Sequence, residues 1–229
     1  MRPVFRALLS VVVASTILIL AGAAMAAPRA KDVIDQQQLN DLGWYTCAGG
    51  GQIAAQTFTP GVSGDLTRLS LNLAKGMGYN QTTFELVPPG DLIVEIRTTA
   101  SATICIDNCI NGTTTVMIPT EQVLATTVVS ESVVAEYPAF WYDVPFADPA
   151  LLIKGEVYAI VLRTNDPPAS WDITPGTYNW HEYGDYTYDA YPGGHAMASN
   201  AVVTFEESIG PRYSDRDFVT YMRIVKNPR

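Results

Sequence analysis

Charge is scarce in this chain. Only 16% of its 229 residues are Asp, Glu, Lys or Arg, and 23 acidic against 14 basic residues leave a formal charge of -9. The acidity is spread thinly, with no tail or block of one sign. Such a surface repels phosphate backbones, so nucleic acid is excluded as a partner. Metal-binding side chains are equally sparse, with three Cys and two His in all. Cys105 and Cys109 have no third Cys or His nearby, a poor zinc arrangement, and His181-Glu182 is followed by no second His at the metalloprotease spacing. There is no P-loop and no dinucleotide fingerprint. The nearest approach to a nucleophile elbow, Gly61-Val62-Ser63-Gly64, is one residue short and reads as a turn. Three thiols without a His–Cys constellation argue against a thiol enzyme. Helical periodicity is lacking throughout.

One long apolar run is present. Arg2 and Arg6 precede an uncharged stretch from Ala7 to Ala24, and Ala24-Met25-Ala26 supplies the small-x-small pattern of a signal-peptidase site. Residues 1–26 are therefore expected to be a signal peptide cleaved near Ala26, which makes the protein secreted, either periplasmic or extracellular. The alternative is an uncleaved anchor, since a spanning helix needs about 20 apolar residues. No Cys follows the run closely, which argues against a lipid anchor, and no membrane span is expected after cleavage. The mature chain would carry a charge of about -11, because the leader holds two Arg and no acid. About 200 residues suffice for one domain with a full core. In an oxidising compartment two of the three Cys are expected to pair. Cys105 and Cys109 bracket Ile106-Asp107-Asn108, so a local disulfide between them is expected, one that staples a loop and adds little stability.

Alternation is plentiful. Leu69, Leu71 and Leu73 stand opposite Arg68, Ser70 and Asn72, and Leu92, Val94 and Ile96 stand opposite Glu95 and Arg97. Phe140, Tyr142, Val144 and Phe146 share a face, as do Phe218, Thr220, Met222 and Ile224. The segment Glu156–Thr164 is apolar on both faces and reads as a central strand. Further strands are expected from Gln122 and over Val202 to Phe205, and the first from Ala54. Turn signals separate them, among them Pro60-Gly61, Pro88-Pro89-Gly90, Lys154-Gly155 and Pro192-Gly193-Gly194. This pattern predicts an all-β chain, a two-sheet jelly-roll β-sandwich of about eight to ten strands. Residues 53–229 are read as one sandwich domain and residues 27–52 as a loosely docked polar arm. Residues 100–120, with the two-Cys loop and a Thr-rich run, read as a long insertion between strands.

Trp171 to His195 is the most aromatic part of the chain. It holds Trp171, Tyr178, Trp180, Tyr183, Tyr186, Tyr188 and Tyr191, seven of the chain's 12 Tyr and 4 Trp. It also holds Asp172, Glu182, Asp185, Asp189 and both histidines. Tyr178, Trp180 and Glu182 share one strand face, and Trp180 is expected to anchor the core. Trp171, Tyr183, Tyr186 and Tyr188 lie among Asp, Gly and Thr, as loop residues do. Tyr186 and Tyr188 would point the same way in an extended segment. With Asp185 and Asp189 as a polar rim, these four aromatics form the predicted ligand-binding set, because a flat sugar ring stacks on aromatics and hydrogen-bonds at its edge. His195 follows two glycines and reads as a turn or surface histidine.

Several phrases line up in order: Gln56-Thr57-Phe58-Thr59-Pro60; Ser63 to Leu69 with Leu71; Asp91 to Thr99; Val123-Leu124-Ala125; Gly155 to Leu162; Tyr191 to Gly194; and Asp215 with Phe218 to Tyr221. Taken together, from Gln56 to Tyr221, they resemble a secreted bacterial jelly-roll domain of the choice-of-anchor R type. The resemblance implies a carbohydrate-binding-module-like sandwich on an exported protein and no established catalysis, so no catalytic residues carry over. The two-Cys loop departs from the pattern.

The reading that follows is an exported, non-enzymatic module that binds a polysaccharide or cell-surface glycan. A structural or adhesive surface protein that binds another protein is the first alternative, since Tyr-rich loops suit that too. A glycoside hydrolase is the second, with Glu182 and Asp185, or Asp185 and Asp189, as its carboxylate pair. No cofactor is expected. Asp107-Asn108, Asp185, Asp189, Asp215 and Asp217 could furnish oxygens to a structural Ca2+, but ordinary loop carboxylates account for them as well.

Overall fold

The structure is a computed structural model, and it describes residues 31–39, 44–105, 113–166, 169–182, 193–200 and 216–224. Its strands run β1 (Val33–Gln38), β2 (Trp44–Ala48), β3 (Gln52–Phe58), β4 (Gly64–Gly76), β5 (Gly78–Asn80), β6 (Leu86–Val87), β7 (Leu92–Cys105), β8 (Thr113–Val129), β9 (Phe140–Leu152), β10 (Tyr158–Thr164), β11 (Ile173–Thr174), β12 (Thr177–Glu182), β13 (Ala196–Asn200) and β14 (Phe218–Ile224). Every described pairing between these strands is antiparallel. Among the described residues no helix is long and apolar enough to cross a membrane.

Two sheets make the sandwich. In the first, β4 pairs with β9 along one edge. Along its other edge it pairs with β14 at Gly64–Leu71 and with β12 at Leu73–Gly76. β12 and β14 thus meet end to end beside Asn72, joined where the Asp217 amide donates to the His181 carbonyl at 2.9 Å. β2 and β1 flank them on the outside. The second sheet has the order β13-β3-β10-β7-β8. The chain crosses repeatedly between the two sheets, from β3 to β4, β4 to β7, β8 to β9, β9 to β10 and β13 to β14, as in the jelly-roll sandwich expected from the sequence.

Most of the predicted core phases point inward, although Phe140 and Ile224, at strand ends, are exposed. Leu69, Leu71 and Leu73 of the first sheet meet Leu92, Val94 and Ile96 of the second, all fully buried. Phe58 and Phe218 bridge the sheets with ring centroids 6.2 Å apart. β10 is central, between β3 and β7, as its two apolar faces required. Trp180 is a core residue, also as expected, and its indole N–H donates to the Asp217 carbonyl at 2.8 Å. The fully buried Arg216 ties the layers together. Its guanidinium stands 5.4 Å from the Trp180 ring and donates to the carbonyls of Ala55 (3.1 Å) and Met197 (2.6 Å).

Three expectations are corrected. Part of the supposed polar arm is structural: β1 and β2 are strands of the first sheet, so the first strand is not the one from Ala54. Strand pairing is made by the backbone, and flanking strands tolerate polar side chains. The Gly-rich turn that follows is tight, with Gly49, Gly50 and Gly51 all at positive φ (120°, 60° and 87°), where other residues are strained. Second, the described residues 100–105 and 113–120 are not an insertion between strands. They continue β7 and β8 as a long hairpin arm, paired from Thr99↔Pro119 to Cys105↔Thr113. Register shifts between Ile96 and Thr99 mark where the arm departs from the sheet. Val116 and Ile118 of the arm pack on Ala55, Ala159, Val161 and Met197, which face outward from the second sheet. Third, the strand count exceeds ten, partly because β5, β6 and β11 form a small third sheet.

Parts of the outer phases are covered as well. Glu95 and Arg97 are buried. Glu95 accepts from Arg97 Nε (2.8 Å) and Nη2 (2.6 Å), and from Arg163 Nε (3.1 Å) and Nη2 (2.7 Å). Burial pushes its pKa up, but the hydrogen bonds from Arg163 and Arg97 and their charges outweigh this and hold it below the ordinary 4.5. Arg97 also reaches the Thr120 carbonyl at 3.3 Å, tying the ion pairs to the start of the arm.

Candidate functional site

The outer face of the first sheet carries a cross-strand row of rings. Alternation along β4 turns Leu71 and Leu73 inward and Asn72 outward. Trp141 of β9 pairs with Asn72 and so shares its outer face. Because Trp180 pairs with Leu73, the next residue of β12, His181, also stands beside Asn72. Tyr45 of β2 in turn pairs with His181. The row therefore reads Trp141, Asn72, His181, Tyr45 across four strands. Tyr137, from the segment between β8 and β9, joins it with its ring centroid 5.9 Å from that of His181, while Tyr45 is 6.3 Å away on the same imidazole. His181 is 2% exposed beneath these rings, whereas Tyr45 is 49%, Tyr137 66% and Trp141 44% exposed.

Polar groups below the rings are held by neighbours. Asn72 Nδ2 donates to Asp217 Oδ2 at 3.1 Å, in the buried floor where β12 meets β14. Farther along β4, Asp143 takes Arg68 as an ion pair and also accepts from the Ser70 hydroxyl. The Arg68 guanidinium lies 3.7 Å from the Tyr221 ring centroid. Lys75 pairs with Glu131, and its amide donates to the Ala135 carbonyl at 2.8 Å, which helps position Tyr137 two residues on. Tyr178, inward on β12, donates its hydroxyl to the Gly90 carbonyl at 2.8 Å, and burial, with the charges of Glu131, Asp91 and Asp166, pushes that phenol far above its usual range. The arrangement is a ring-bearing face over a hydrogen-bonded polar floor.

Of the predicted ligand set only Trp171 is among the described residues. It is 83% exposed beside β11, where the Gln81 amide donates to the Asp172 carbonyl at 2.8 Å. The small third sheet there displays Tyr79, Phe84 and Leu86, all exposed, with Tyr79 and Phe84 in an edge contact at 6.0 Å. Tyr183, Asp185, Tyr186, Tyr188 and Asp189 lie outside the described residues. So does Cys109, and with it the expected Cys105–Cys109 disulfide, while Cys47 is a free thiol that donates to Asn179 Oδ1 at 3.5 Å. Of the proposed calcium ligands only Asp217 is described, and it is fully buried. Among the described residues no three His, Cys, Asp or Glu cluster as metal ligands would. His195 is exposed at a turn, as read from the sequence, on the rim of a cleft of about 250 Å³ lined also by Thr57, Thr59, Thr115, Val116 and Met117.

Tyr45, Tyr137 and Trp141 were missed by the sequence reading. Trp141 had a usable signal, a Trp on the outward phase of an alternating strand. Tyr45 sat in the presumed arm, and Tyr137 comes to His181 only through the tertiary fold. No known protein family model matches this chain, and no curated protein matches it.

Proposed function

We propose that the protein is an exported, non-enzymatic glycan-binding module whose ligand stacks on the outer face of the first sheet. The observation that carries this reading is the pair Tyr45 and Tyr137, exposed around a buried His181, with Trp141 exposed two strands away in the same cross-strand row. Stacking planes with polar groups at their edges are what a pyranose needs. Asp143 and Asp217 at this face are engaged by Arg68, Ser70 and Asn72, which suits a binding floor better than a pair of carboxyls facing each other across a sugar. Export rests on the leader-like residues 1–26.

The test is retention of the mature chain, from Ala27, on a panel of immobilised polysaccharides, with released sugar monitored. Selective retention without sugar release, weakened about tenfold or more by Trp141→Ala, is expected. Unchanged retention in that variant would move the site elsewhere, and turnover of a polymer would restore the hydrolase. A protein-binding, adhesive role is the second reading. It is favoured by the exposed Tyr79, Phe84, Leu86 and Trp171 on and beside the third sheet, since apolar patches of this kind mark protein contacts.

A further inference from the structure

The row of rings crosses the strands. Trp141 and Tyr45 lie on β9 and β2, the two outermost strands of the first sheet at this level. Three strand spacings separate them, about 14 Å. One sugar ring cannot bridge that distance. The middle of the row is not empty, because Tyr137 stands over His181 between the ends. Among the described strands the row also reaches both edges of the sheet, with no further described strand in line beyond either end.

Charge narrows the ligand further. Arg68 is neutralised by Asp143, and Arg223, on the outward phase of β14, lies 3.5 Å from Asp32. No described cation on this face is thereby left to recognise a carboxylate or sulfate, and the chain as a whole is acidic at -9. Anionic polymers are disfavoured on both counts.

Resting on the glycan-binding reading above, we propose that this face binds the interior of an extended neutral glycan laid across the strands from Trp141 to Tyr45, about three or more rings long. Tyr137, above the buried His181, forms the central position, and the chain ends play no part.

The test uses the mature chain and a ladder of neutral oligosaccharides, from one ring to about six, cut from whichever neutral polysaccharide the panel retains. Isothermal titration should show affinity rising about tenfold or more up to three or four rings and then levelling. Blocking either chain end should leave it unchanged. Trp141→Ala and Tyr45→Ala, both at exposed positions that leave the core intact, should each abolish much of the gain with length. Equal affinity for one ring and for six, or loss of binding on blocking an end, would overturn this inference and leave the glycan-binding reading standing. Retention only of acidic polymers would refute the neutral class. No binding to any polysaccharide would overturn the glycan-binding reading and this inference with it.

Discussion

Replacing Glu95 with glutamine removes the one carboxylate that holds both Arg97 and Arg163 on the outer side of the second sheet. Four short charge-assisted hydrogen bonds converge on it. A glutamine can accept from one guanidinium through its oxygen, but its amide donors then face the other. Arg97, with a side chain 9% exposed, has little recourse to water, whereas Arg163 at 34% can turn outward. Breaking a buried ion pair by removing one partner costs about 3–5 kcal/mol, and the half-exposed Arg163 puts this case at the lower end, about 3 kcal/mol. In urea, with a slope of about 2 kcal/mol per molar, the unfolding midpoint should fall by about 1.5 M. The sign of the pH dependence follows from the depressed pKa of Glu95. Its contribution is present above the unfolded-state value and is lost as pH falls through the lower folded-state value. The gap between wild type and Glu95→Gln should therefore be full at pH 7 and shrink below the ordinary 4.5. A gap under about 1 kcal/mol at neutral pH, or one that persists undiminished to about pH 3, would refute the argument.

Three other outcomes are expected. Trp180→Ala should cost about 3–5 kcal/mol in urea unfolding, since it empties a core site and strips the Asp217 carbonyl of its indole donor; a cost near 1 kcal/mol would mean that the core refills. Phe84→Gly should raise stability by up to about 1 kcal/mol, because Phe84 holds φ at 61° while its ring is exposed; thermal unfolding reads this directly. Arg216→Met should destabilise by several kcal/mol, because the carbonyls of Ala55 and Met197 lose a buried donor, and it should broaden the urea transition if the tie between layers is lost.

Much of the sandwich was legible because a period of two is unambiguous. Leu69, Leu71 and Leu73 could face only one way, and Glu156–Thr164 could only be central. What alternation does not carry is the fate of the other phase. Ser70, Asn72, Glu95 and Arg97 all read as solvent-facing, yet all four are buried. Apart from the Glu95–Arg97 pair within β7, their partners come from elsewhere: Asp143 from β9, Asp217 from the junction of β12 and β14, and Arg163 from β10. Such pairings depend on register between segments more than a hundred residues apart in the case of Asn72 and Asp217, which no local pattern encodes. The same limit hid the ring row. Composition drew attention to Trp171–His195, where aromatics are dense in sequence, while the exposed rings of the row come from two places far from His181, Tyr45 and the segment from Tyr137 to Trp141.

The hairpin arm decides which outer face is open. On the second sheet, the outward residues Ala55, Ala159, Val161 and Met197 are small or apolar, and Val116 and Ile118 close over them. Small side chains at Ala55 and Ala159 let the arm approach closely, and burying Val116 and Ile118 contributes about 1.5–3 kcal/mol each. The ion pairs of Glu95 and Arg97 fix the arm where it leaves the sheet. That face is thus committed to the protein's own packing. The first sheet has no such arm among the described residues. Its outer residues are buried only as far as the floor, at Asn72, His181 and Asp217, and above that floor Tyr45, Tyr137 and Trp141 remain exposed. An aromatic side chain loses more by exposure than almost any other, so three exposed on one face, like Tyr79, Phe84 and Trp171 elsewhere, mark a surface suited to an outside contact. The glycan proposed for this face would cover all three at once, and the span of the row would set its length.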